Sequence, residues 1–246
     1  MSFLLPGKIF CKMKIRCIWE HNGDDTLLYA ADHPGAFARG GDLKSALEKI
    51  PGEILSYLTW RGEPCPEITG VEIVQEKVSD LQIRDADSDV LFDSERKPLT
   101  REEYEALKAL ALKSAADFHA LYETVPDKHR SVLAVRQTFY GPVPRTAEEM
   151  YQHTKSVNAY YFAEIGVEAD NAGSILECRR RGFEALEKCP GFLEKEAGEG
   201  SYGEWWSLRK VLRRFLWHDR IHAKAMYRMA VKTFGPDGIS NPFRFG

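Results

Sequence analysis

No stretch of this chain approaches the ~20 consecutive apolar residues that a membrane-crossing helix needs, so no such helix is expected. Cysteine is scarce: five residues, at positions 11, 17, 65, 178 and 189, with no CxxC pair and no regular spacing. That argues against a disulfide framework and for reduced thiols in a cytoplasmic protein. Charge of one sign is also lacking. Lys and Arg total 34 against 37 Asp and Glu, a formal net charge of −3, which gives no general attraction to a phosphate backbone and makes nucleic acid an unexpected partner. The triple Arg179-Arg180-Arg181 reads as a solvated helix face. The opening residues 1–12 carry only a short apolar patch, Phe3-Leu4-Leu5, without a basic start or cleavage site. Met13-Lys14-Ile15-Arg16 reads as a natural start, so residues 1–12 are expected to be a dispensable extension.

What is present is enough apolar material, 43% of 246 residues, to build one or two packed domains. Two textures divide the chain into residues 1–93 and 94–246. In the first, Ile15 and Cys17 alternate with charged residues, and Leu27-Leu28-Tyr29-Ala30 follows the turn-forming Asn22-Gly23-Asp24-Asp25. Asp42 is a natural N-cap for a helix over 43–60, which Pro51-Gly52 should interrupt or restart. Alternation returns over 71–78, completing a β-β-α-β unit. Residues 85–98 are polar and acidic, a linker with room for a short hairpin. Asp85, Asp87 and Asp89 are not a calcium loop, because Val90 stands where the tight turn requires glycine and no glutamate closes the loop.

Beyond Pro98 the pattern is helical. Thr100-Arg101-Glu102-Glu103 and Thr146-Ala147-Glu148-Glu149 are capping boxes, opening helices to about Thr124 and Ile165. A third helix is expected from Ser174 to Cys189, and a fourth from about Gly203 to Phe234. The fold class is therefore α+β: a small β-β-α-β N-terminal domain followed by an antiparallel four-helix bundle.

The chemistry is most concentrated in the last helix. His218 and His222 are four apart, one above the other on a helix. Val211, Phe215, Ala225, Met226 and Met229 fall within about 80° of His218, while Arg209, Arg213, Arg220 and Lys224 cluster opposite and are expected in water. Inward histidines need partners, either a carboxylate or a shared metal. His21 and His33 belong to the N-terminal unit, His129 follows a turn, and His119 lies at the edge of its helix's apolar stripe. His153, among Met150, Val157, Tyr160 and Tyr161, is the expected third ligand. Three neutral imidazoles suit a divalent transition metal such as Zn, Ni, Fe or Mn, with a fourth position open to water or substrate. Glu149 has a capping duty, Asp219 and Tyr160 are candidate outer supports of the ligands, and Trp205, Trp206 and Trp217 are candidate pocket walls or core. Cys178 and Cys189 are not placed as nucleophiles.

Two resemblances follow from these residues. The Pro34-Gly35, Gly40-Gly41 and Leu43-x-x-Ala46-Leu47 elements resemble the small HicB-like domain over roughly residues 13–85, which implies a protein partner in some members and a structural or dimerising role in others. His153 and the His218-x-x-x-His222 pair resemble the DinB-like metalloprotein family over about residues 99–235. That resemblance implies a metal held by His153, His218 and His222, and a thiol-dependent transferase or hydrolase using a low-molecular-weight thiol as cosubstrate. A homodimer and a small-molecule substrate are expected; the alternative is a non-catalytic protein that binds a partner through the HicB-like domain.

Overall fold

The computed structural model describes residues 11–246. Most of the extension expected at residues 1–12 lies outside them, but its end is built into the fold, since the Glu67 N–H donates to the Cys11 carbonyl at 2.9 Å. Strands β1 (Lys12–Asn22), β2 (Asp25–Ala30) and β3 (Phe37–Gly40) run antiparallel in succession. Helix α1 (Leu43–Arg61) then returns the chain to β4 (Glu67–Val78), parallel to β1, giving the sheet order β3-β2-β1-β4. The expected unit thus contains one more strand, because residues 37–40 pair with Thr26–Tyr29. Pro51 does not interrupt α1. Ala46, Ile50, Ile54 and Tyr57 bury one continuous stripe across it, and that burial outweighs the one backbone bond that proline removes.

Both faces of the sheet are covered, which explains why β2 is an apolar run and not an alternation. Ile15, Cys17, Leu28 and Ala30 face α1, while Ile18, Leu27 and Tyr29 pack on the other side with Val90, Phe92 and Trp217. The segment read as a linker is therefore packed: Val90, Leu91 and Phe92 are buried, and Tyr29 Oη donates to Ser88 Oγ, which donates to the buried Glu20.

Four further helices follow: α2 (Arg101–Thr124), α3 (Ala147–Ala163), α4 (Ile175–Glu187) and α5 (Leu208–Phe234). Thr100, Thr146 and Ser174 cap the first three by reciprocal side-chain bonds with Glu103, Glu149 and Glu177. Helix α5 begins later than expected, at a cap formed by Ser207, since Trp205 and Trp206 pair with Gly198 and Glu199 in a small ribbon. Helices α2 and α3 each pack on both α4 and α5.

The cations of α5 correct the expectation of a solvated face. Arg213 and Arg220 are buried. Arg213 pairs with Glu95 and donates to the Val90 carbonyl at 2.8 Å, while Arg220 pairs with Glu53 of α1 at 2.5 Å. Arg179, expected in water with its neighbours, is also fully buried, holding both oxygens of Asp219 at 2.8 and 3.1 Å. Helix α5 is thus amphipathic between two protein surfaces, and its charged side faces the N-terminal unit.

At Gly35 the backbone of the N-terminal unit packs directly on α5. The Gly35 φ is +92°, and a Cβ there would lie 2.6 Å from Leu216 Cβ and 2.9 Å from the Leu216 backbone carbon. Gly35→Ala is expected to cost about 2–4 kcal/mol, combining left-handed strain with overpacking. Urea unfolding checks this, and an unchanged midpoint would refute the close docking.

Candidate metal centre

Helix α3 is oriented by its capping box and by the buried side chains Met150, Thr154, Asn158 and Tyr161. This leaves His153 half-buried and facing α5, where His218 and His222 stand one turn apart. One ligating nitrogen from each of the three imidazoles lies within 4.8 Å of the other two. Ring centroids are 5.1 Å apart for His153 and His218, 4.6 Å for His153 and His222, and 4.5 Å for His218 and His222. Among the described residues no other group of three or more His, Cys, Asp or Glu converges in this way.

The electrostatics favour the neutral, electron-donating form of all three. Burial pushes the His218 pKa well below its ordinary value, and the repulsion that a protonated His218 would meet from protonated His222 and His153 and from Arg214 and Arg179 acts the same way. Burial, then His153, lowers His222 to about 3, and burial lowers His153. No carboxylate ion-pairs with any of the three among the described residues, and His218 Nδ1 is buried with no hydrogen-bond partner. An unpartnered nitrogen at that depth is costly, and a shared cation would satisfy it. Three neutral nitrogens from two helices fit a borderline divalent ion.

The neighbours sort by chemistry. Tyr160, Tyr161, Trp217 and Met229 line, with the histidines, a cavity of about 530 Å³. Glu149 accepts the backbone N–H groups of Arg145 and Thr146 at 2.8 and 3.0 Å, so it caps α3. Asp219 is taken up by Arg179 and does not support a histidine. His119 contacts Tyr151 Oη at 3.0 Å, outside the cluster. Trp206 is buried against Tyr161, whereas Trp205 is exposed. Cys178 is buried and its thiol pKa is raised by burial, so it is poorly suited to act as a nucleophile.

Sequence reasoning missed the cations that share this cavity: Arg39, Arg136, Arg145, Arg214, Arg228 and Lys232. Arg214 had a signal, standing one turn before His218 on the same helical face. Arg39 and Arg145 had none, because only the packing of loops and strand β3 brings them here.

The depressed histidine pKa values make a pH prediction. The unfolded chain protonates His222 near 6.5, whereas the folded chain resists until about pH 3. Below pH 6.5 the unfolded state therefore binds more protons, and stability of the metal-free protein falls. The loss is about 1.4 kcal/mol per pH unit for each histidine held neutral. Urea midpoints between pH 7 and 5 should fall in this way, and the fall should lessen by one histidine's share in His222→Ala; a flat wild-type profile would contradict buried neutral imidazoles.

No helix of the described residues is long and apolar enough to cross a membrane. Compared with family models, with curated proteins and with solved structures, the chain matches none.

Proposed function

We propose that this chain is a divalent-metal-dependent enzyme, a thiol-dependent transferase or hydrolase of the DinB-like kind, with α2–α5 as its four-helix bundle. The observation that carries the reading is the convergence of His153, His218 and His222 on the wall of a cavity, with His218 Nδ1 left unpartnered. When bound, a metal of the Zn, Ni, Fe or Mn type would supply Lewis acidity, lowering the pKa of a coordinated thiol or water toward neutrality. The chain's own part is to hold three neutral nitrogens ready and to limit the access of water. Tyr161 of α3 and Trp217 of α5, both buried, wall the site.

The N-terminal unit is part of this enzyme on the same reading. Arg39, Asp85 and Asp87 reach the histidine cavity from its strand β3 and from the packed segment after β4, so the HicB-like unit covers the site. All five cysteines are free, in keeping with a cytoplasmic location and a thiol cosubstrate. The test is activity of metal-loaded protein in thiol-transfer and ester or amide hydrolysis screens, beside chelated protein and folded His222→Ala. Turnover that needs the metal and is lost in the variant supports the proposal. Stoichiometric metal without turnover in any screen would favour a structural ion, and failure to take up metal would sink the reading.

A further inference from the structure

The cavity around the histidines carries a surplus of positive charge that internal pairing does not absorb. Arg136 is held by Asp85, and Asp87 is the other carboxylate in the lining. Arg39, Arg145, Arg214, Arg228 and Lys232 have no carboxylate within ion-pair distance among the described residues. Two of these side chains are built into the wall. Arg214 donates through Nη1 to the Ser88 carbonyl at 2.7 Å and lies over the Trp217 ring at 4.8 Å, yet its Nε is buried without a partner. Arg145 Nε is likewise buried and unpartnered, on the loop that enters α3. Glu20 and Glu204 exert a favourable field on Arg214 but lie beyond pairing distance.

A buried guanidinium donor with no acceptor is expensive, and an oxyanion is the ligand whose geometry a guanidinium matches. Arg214 and His218 are one helical turn apart on the same face of α5. An anion on Arg214 would therefore place the rest of a small molecule against the histidines. We propose that the substrate of this cavity is a small molecule bearing a carboxylate or phosphate group, anchored by Arg214 and Arg145. Arg39 and Arg228 also line an adjoining cleft of about 940 Å³, so their charge draws the anion in from solvent. The anchoring stands on the arginines alone; the orientation of the reactive end rests on the metal-site reading above.

The experiment is calorimetric titration of the full chain, metal-free and zinc-loaded, with inorganic phosphate, with succinate and with neutral succinamide. Saturable binding of phosphate or succinate to metal-free protein, absent for succinamide, is expected. It should weaken at least tenfold in Arg145→Gln and in Arg214→Gln, with folding checked by circular dichroism. Which of the two anions binds more tightly distinguishes a phosphate from a carboxylate ligand. Should Arg214→Gln fail to fold, Arg145→Gln, whose side-chain Nε has no hydrogen-bond partner among the described residues, carries the test. Anion binding that persists where zinc does not bind would leave this inference standing and remove the metal reading. Stoichiometric zinc with no anion binding, or with binding unchanged in Arg145→Gln, would overturn the inference. Binding seen only with zinc present and unaffected by the arginine variants would also overturn it, since the metal alone would then be the anion's partner.

Discussion

Alanine at His153, His218 or His222 is expected to abolish stoichiometric zinc binding while leaving the helices formed. Each removal takes one of three nitrogens that lie within 4.8 Å of one another, and an ion left with two protein ligands loses affinity on the order of a hundredfold or more, since even outer supports of metal ligands are worth 10–100-fold. The effect should be read twice. Elemental analysis should fall from about one metal per chain toward zero. The thermal shift that the metal confers should vanish too. At a free ion concentration about 100 times Kd, binding stabilises by about 2.7 kcal/mol, which is about 5–10 °C for a chain of this size. Without metal, His218→Ala should cost less than an ordinary core truncation, because it also removes the unpartnered Nδ1. Wild-type and triple-alanine proteins with the same metal content and the same melting response to zinc would end the metal-site proposal.

Glu53→Ala should be the most destabilising single change outside the core. This carboxylate sits on α1 with a side chain only 4% exposed, and it holds Arg220, which is 0% exposed, together with the partly exposed Lys224. Lys224 can turn to water. Arg220 cannot, because Tyr57, Trp60, Phe243 and Phe245 surround its guanidinium. Leaving that charge buried and unpaired is expected to cost about 3–5 kcal/mol, or roughly 10 °C in melting temperature. The double change Glu53→Leu with Arg220→Met should recover most of the loss, since a buried pair is often replaceable by apolar groups of similar volume. If Glu53→Ala melts like wild type, the ion pair does not join the N-terminal unit to α5 as described. If the double variant is no better than Glu53→Ala, the loss came from packing and not from charge.

These two predictions mark the boundary of what could be read from residue order. The capping boxes at Thr100 and Thr146 are local chemistry, complete within four residues, and the helices they open begin where expected. The spacing of His218 and His222 is likewise local, and their apolar neighbours on α5 place them inward. The third histidine followed from the same periodic reasoning on α3, and the structure brings it to within ligand distance of the pair. Strand β3 was not legible, because four residues framed by Pro34-Gly35 and Gly40-Gly41 look like loop until β2 offers an edge to pair with. The segment 85–98 looks like a linker because its acidic residues outnumber its apolar ones, yet Val90 and Phe92 join Trp217 in covering one face of the sheet.

By itself, then, the sequence determined the mixed α+β composition, most helix boundaries and the three histidines, all of which depend on spacing and on bonds between near neighbours. Only the tertiary structure decided the fate of the charges. Arg179, Arg213 and Arg220 carry the same letters as solvated arginines, and a helical wheel assigns them to water because it knows only one apolar partner surface. Their burial depends on Asp219, Glu95 and Glu53, carboxylates that are 40, 118 and 167 residues away. The gathering of Arg39, Arg145 and Arg214 around the histidines is decided in the same way: a charge's environment is set by whichever surface folds against it.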